Sequence, residues 1–130
     1  MVPRMTQQKP TASELEILQV LWARGPSTVR EVHEALSEKK PIGYTTVLKL
    51  LQIMTTKGLV RRDEGQRAHV YEAFQPAEKT KRQLAADMIQ RVFEGSASAL
   101  MMHVLAGGRA SREEIEELRR LLDEYERKAQ

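Results

Sequence analysis

The sequence predicts a mainly α-helical chain with one small β-hairpin. Three observations lead there. Apolar residues recur at helical spacing in three short stretches between residues 11 and 58, each bounded by a capping residue, Gly or Pro. The spacing then drops to alternation between Leu59 and Glu72, across a polar loop. From residue 77 the helical spacing returns, broken at Gly107 and Gly108.

Residues 1–10 have no period and hold Pro3, Gln7, Gln8 and Pro10, the composition of a flexible N-terminal arm. Thr11 and Glu14 form a capping box, and Leu15, Leu18, Leu21 and Trp22 follow at helical spacing until Gly25 and Pro26 stop the helix. Thr28 and Glu31 repeat the box before a second helix with Val29, Val32, Ala35 and Leu36 inward, ended by Lys39, Lys40 and Pro41. Past a turn at Ile42 and Gly43, residues 44–57 form a third helix with Val47, Leu50, Leu51 and Met54 inward and Gly58 as C-cap. Leu59–Arg62 and Ala68–Glu72 read as two strands flanking a loop with Gln66 and Arg67 at its tip, and Pro76 closes this part. Beyond it, 77–94 is helical with Leu84, Met88 and Val92 on one face, and 97–106 carries Leu100, Met101, Val104 and Leu105. Ser111 and Glu114 open a last helix with a narrow stripe of Ile115, Leu118, Leu122 and Tyr125.

At 130 residues the chain has room for one domain or two small lobes, and not for a second large catalytic domain. No apolar run reaches the roughly 18 residues of a spanning helix, and the first ten residues have no signal-peptide core, so a soluble cytoplasmic protein without membrane insertion is expected. The absence of cysteine excludes disulfides, thiolate metal sites and cysteine nucleophiles. His33, His69 and His103 stand on separate elements without a metal-binding or catalytic spacing. No catalytic residue, no metal site and no cofactor is therefore predicted, and an enzyme is disfavoured.

The charge is uneven. Residues 1–75 carry 11 Lys and Arg against 8 Asp and Glu, whereas residues 76–130 carry 10 against 10. The surplus concentrates in 39–74, where Lys39, Lys40, Lys49, Lys57, Arg61, Arg62 and Arg67 meet only Asp63, Glu64 and Glu72. Such a segment suits a polyanion.

Three short helices followed by a hairpin is the order of a winged helix-turn-helix, whose third helix enters the DNA major groove while the hairpin touches the backbone. With Val47, Leu50, Leu51 and Met54 inward, Thr45, Leu48, Lys49, Gln52 and Thr56 face outward. Thr45 and Gln52 can bond base edges, Lys49 a guanine or a phosphate, and an exposed Leu48 a thymine methyl. Tyr44, Thr45 and Thr46 occupy the first turn, where free N–H groups favour phosphate. Arg67 is the best phosphate candidate on the hairpin. Arg61 and Arg62 either contact DNA or protect an exposed strand edge, or both.

The order and spacing of Thr11, Glu14, Leu18, Leu21, Trp22, Thr28, Val29, Val32, Leu36, Tyr44-Thr45-Thr46-Val47, Leu50, Leu51, Lys57-Gly58-Leu59-Val60, Arg67, Tyr71 and Glu113–Leu118 resemble the penicillinase repressor family of bacterial transcription regulators. The resemblance implies a homodimeric repressor with a winged-helix DNA-binding domain, here 11–75, and a helical dimerisation domain, here 76–130. It also implies a two-fold-related operator and release by a signal such as cell-wall antibiotic stress, with a membrane sensor protease as a further partner.

Two departures matter. Copper-responsive members resemble one another in C-terminal cysteines, which this chain lacks. In the β-lactam-responsive members an Asn-Phe bond is cleaved that would fall at about His103-Val104, and neither residue matches, which favours Val104 in a dimer core and His103 as an ordinary histidine. The dimer stripes are Leu84, Met88 and Val92, then Leu100, Met101, Val104 and Leu105, then Ile115, Leu118, Leu122 and Tyr125. The alternative to a repressor is a winged-helix module that binds protein, with the C-terminal helices as an adaptor.

Overall fold

A computed structural model describes residues 8–65 and 67–129; most of the N-terminal arm, and Gln66 at the hairpin tip, lie outside the described residues. The elements run α1 (Ala12–Arg24), β1 (Ser27–Thr28), α2 (Val29–Ser37), α3 (Tyr44–Lys57), β2 (Val60–Asp63), β3 (Val70–Ala73), α4 (Ala77–Val92), α5 (Ala97–Ala106) and α6 (Arg112–Lys128). By compactness the chain divides into two units, the first ending at Leu84 and the second starting at Ala85.

Local chemistry sets the helix bounds of the first unit. Thr11 and Thr28 each accept the N–H of the glutamate three residues on, and that glutamate accepts the threonine N–H in return, so α1 and α2 open on complete capping boxes. Gly58 ends α3 at φ 82°, a left-handed conformation in which its N–H reaches the Met54 and Thr55 carbonyls.

The sheet has three strands where the sequence suggests two. Its order is β1-β3-β2, all antiparallel, with Ser27 opposite Tyr71 and Arg62 opposite Tyr71 on the other side. Two residues after Pro26, the second of them the capping Thr28, carry no alternation of their own, so β1 exists only because β3 lies beside it. The Ser27 hydroxyl is buried and donates to the Gly25 carbonyl at 2.9 Å.

The core joins Ile17, Leu18, Val20 and Leu21 of α1, Val29, Val32 and Leu36 of α2, Val47, Leu51 and Met54 of α3, and Val60 and Tyr71 of the sheet. Each such side chain contributes about 1.5–3 kcal/mol relative to exposure. The stripe of α1 is broader than its expected four residues, because α2, α3 and β3 enclose the helix on more than one side. Ile17 and Val20 are buried, whereas Leu15 and Trp22 lie half-buried at the margin. Trp22 donates its indole N–H to the Gln75 carbonyl at 3.0 Å.

Among the described residues one charged group is buried with this core. Glu14 Oε1 accepts the Thr11 N–H at 2.9 Å and the Lys57 ammonium at 2.7 Å, tying the start of α1 to the end of α3. The first turns of α4 belong to this unit as well: Thr80 is buried and its hydroxyl reaches Gln75 Oε1 at 3.3 Å. The compact units divide inside α4.

The second unit is helical. The turn from α4 to α5 uses left-handed Glu94 and Gly95, the Ser96 hydroxyl caps α5, and Ser111 with Glu114 forms the capping box of α6. No residue described from Ala85 onward is buried.

Candidate nucleic-acid interface

The outward face of α3 carries Tyr44, Thr45, Thr46, Lys49 and Gln52, all exposed. Leu48 differs from its expected exposure: it is half-buried, resting against the core cluster. Ile53, also on this helix, is the apolar residue left open, at 41% exposure. Thr56 is exposed but spends its hydroxyl on the Gln52 carbonyl.

The start of α3 is unlike those of α1 and α2. Its N-cap is Gly43, with no side chain to bond the first turn, and no acidic residue stands there. The leading N–H groups and the positive end of the helix dipole are thus left uncompensated by side chains. The preceding turn is held from α2. His33 donates from Nε2 to the Ile42 carbonyl at 2.9 Å, and its ring meets Tyr44 edge-on at 5.8 Å between centroids. The sequence places His33 on α2 but contains no signal of that contact.

The hairpin arginines separate into two kinds. Arg61 pairs with Glu72 at 2.8 Å and lies over the Phe74 ring, with 5.6 Å from its Cζ to the centroid. Arg62 donates from Nε to Glu64 at 2.7 Å, and hydrogen bonds with Tyr71 and Glu64 hold its guanidinium still more firmly charged. Both lie on β2, an edge strand, where charge opposes edge-to-edge pairing. Arg67 is exposed and no hydrogen bond or ion pair engages its side chain among the described residues.

Tyr44, Leu48 and Arg67 share the wall of a groove of about 540 Å³, together with Arg30 of α2 and His69 before β3. It lies between the starts of α2 and α3 and the β3 side of the hairpin loop. Arg30 and His69 escaped the sequence reading. The stripe of Val29 and Val32 turns Arg30 outward, yet only tertiary packing brings that side of α2 to the same groove as Arg67.

The expected dimer residues, Leu84 at the end of the first unit and the rest in the second, are open or half-open. Leu84, Leu100, Val104, Ile115 and Leu118 are half-buried, while Met88, Val92, Met101, Leu105, Leu122 and Tyr125 are exposed, with Val92, Leu122 and Tyr125 between 65% and 68%. Met102 and Leu121 join them as exposed apolar residues absent from the expected stripes. His103 is exposed, bonds the Ala99 carbonyl through Nδ1 at 3.0 Å and packs against Phe93 at 5.3 Å. No group of His, Asp and Glu suited to a metal is found among the described residues, and no described helix is long and apolar enough to cross a membrane.

Comparison with known proteins places this arrangement. The sequence model described as penicillinase repressor matches residues 10–124. The transcriptional regulator BlaI of Mycobacterium tuberculosis is 36% identical over 115 residues, covering 87% of this chain and 82% of the relative. The methicillin resistance regulatory protein MecI of Staphylococcus aureus is 21% identical over 113 residues, covering 87% and 92%. Among solved structures, the Bacillus licheniformis BlaI monomeric form in complex with the blaP half-operator aligns at TM-score 0.48 and 22% identity, over 55% of this chain and 87% of that one. Matched along nearly all of its folded length, the chain belongs to the penicillinase repressor family, a family of transcriptional regulators rather than enzymes.

Proposed function

We propose that the chain is a sequence-specific DNA-binding repressor that reads its operator with α3 and binds as a homodimer. The observation that carries this is the outer face of α3. Thr45, Thr46, Lys49 and Gln52 stand exposed together beside an uncapped helix start with no acidic residue, on a helix whose other side is locked by Val47, Leu51 and Met54. Donors and acceptors at helical spacing on a rigid support are what base-edge reading needs. Tyr44 and Leu48 line the approach, and Arg67 supplies a phosphate contact at the wing. Arg61 and Arg62 serve DNA less, because Glu72 and Glu64 already hold them.

The pairing surface is the open apolar side of the C-terminal helices, in the functional division at residues 11–75 and 76–130. A second copy would cover Met88, Val92, Leu105, Leu122 and Tyr125 and set two α3 helices against a two-fold-related operator. The names penicillinase repressor and methicillin resistance regulatory protein support release by a signal such as cell-wall antibiotic stress; a membrane sensor protease as partner and a place in the cytoplasm belong to the same reading.

Operator binding by Lys49→Ala and Gln52→Ala tests the reading. Each is expected to lose about 1–3 kcal/mol on the operator and to relax discrimination at one base pair. Unchanged operator affinity in both would overturn it.

A further inference from the structure

Three features stand apart from the base-reading side chains of α3: the exposed apolar side chains of α5 and α6, the imidazole of His33 against the turn before α3, and the groove shared by α2, α3 and the wing. The groove leads furthest. Arg30 reaches it from the first turn of α2, Arg67 and His69 from the wing, and Tyr44 and Leu48 from α3. No carboxylate lines it among the described residues. Neither guanidinium has a hydrogen bond or ion pair among the described residues, in contrast to Arg61 and Arg62 on the same hairpin. Both guanidiniums are exposed and line one groove from separate elements, with no acidic partner among the described residues, so an anion seated there meets two free sets of N–H donors. Guanidinium suits phosphate oxygens, which it can grip through two N–H groups at once.

We propose that this groove seats a stretch of the sugar-phosphate backbone of duplex DNA, with Arg30 and Arg67 as opposed phosphate ligands. The proposal rests on the reading of the chain as a duplex-binding regulator. It adds a strand contact from α2 that the α3 face and the hairpin tip do not supply. A backbone running past the start of α3 meets Arg30 on one wall and Arg67 on the other while Lys49 and Gln52 address the bases. Arg30 thereby fixes the register of the duplex on α3 without reading sequence.

The test is binding of the full chain to an operator duplex and an unrelated duplex over a series of salt concentrations. Arg30→Ala is expected to weaken both by the same factor, about tenfold, and to lower the slope of log affinity against log salt by about 0.9, the value for one B-DNA phosphate. Arg30→Lys, which keeps the charge, is expected to restore the slope. Lys81→Ala removes a charge on α4 outside the groove and is expected to change the slope little. Unchanged binding by Arg30→Ala, a loss confined to the operator, or an equal loss in Lys81→Ala would each overturn the proposal while leaving the repressor reading standing. Salt-independent or absent duplex binding by the unsubstituted chain would instead overturn that reading and this one with it. Inorganic phosphate at matched ionic strength is expected not to displace the duplex; displacement would make the groove a free-phosphate site and overturn the backbone assignment.

Discussion

The two compact units answer the same problem, covering apolar side chains, in opposite ways. In the first, twelve apolar residues from three helices and a sheet enclose one another, and even the buried carboxylate of Glu14 has a cation and a backbone N–H at hand. In the second, three helical segments present Met, Leu, Val and Tyr side chains at the surface and bury none of them. Fewer than fifty residues without metal or disulfide rarely close a core. The first unit is complete as one copy. The second has the composition of an interface, which is why the proposed pairing is assigned to it.

The sharpest way to break this contrast is truncation on both sides. Leu51→Ala, in the centre of the first core, is expected to cost about 2–5 kcal/mol, read as a lower urea midpoint that does not depend on protein concentration. Leu122→Ala should leave the midpoint unchanged at high dilution and lower it only where dimers form. A concentration-independent loss at Leu122 of the size seen at Leu51 would show that both units are closed. Leu122→Asp sharpens the point further. At about 1.5 kcal/mol of lost burial per copy, the dimer dissociation constant should rise about a hundredfold in sedimentation equilibrium. A wild-type chain sedimenting at 14.9 kDa at micromolar concentration would refute the pairing outright.

The buried ion pair offers a test of how far the first unit is locked. Lys57→Met keeps the aliphatic stem but strips Glu14 of its cation, and a loss of about 2 kcal/mol in urea is expected from a charge left buried with one donor. No loss would mean that water replaces the ammonium at little cost.

How much of this was legible beforehand follows from whether each feature is local. The bounds of α1, α2, α3 and α6 were readable because Thr11, Thr28, Gly58 and Ser111 act on their own neighbours. The exposed positions of Thr45, Lys49 and Gln52 followed from helical periodicity alone. β1 was not readable, since Ser27 and Thr28 are strand only through β3, forty residues away in the chain. The same holds for Lys57 with Glu14 and for Arg30 in one groove with Arg67. Each is a long-range pairing between residues whose types alone suggest nothing. The sequence already set Arg67 at the loop apart from Arg61 and Arg62 on the strand, but the pairing of Arg61 with Glu72 and of Arg62 with Glu64 appears only in the fold.

The smallest expected effect uses a motif that both units share. Thr28 and Ser111 each close a capping box with the glutamate three residues on, at nearly the same distances, 3.2 and 3.1 Å from hydroxyl to N–H. Alanine at either should remove about 1 kcal/mol from its own helix. The contexts differ, and so should the readouts. The α2 helix cannot fray alone, because Val29, Val32 and Leu36 are buried and its first residues follow directly on β1, so Thr28→Ala should appear in full as a lower global midpoint. No residue of α6 is buried within the chain, so nothing couples its first turn to a core. Ser111→Ala should therefore show at high dilution as faster amide exchange confined to the start of α6, with the global midpoint unmoved. As the protein concentration rises, that local loss should diminish if a second copy packs against α6, and stay constant if none does.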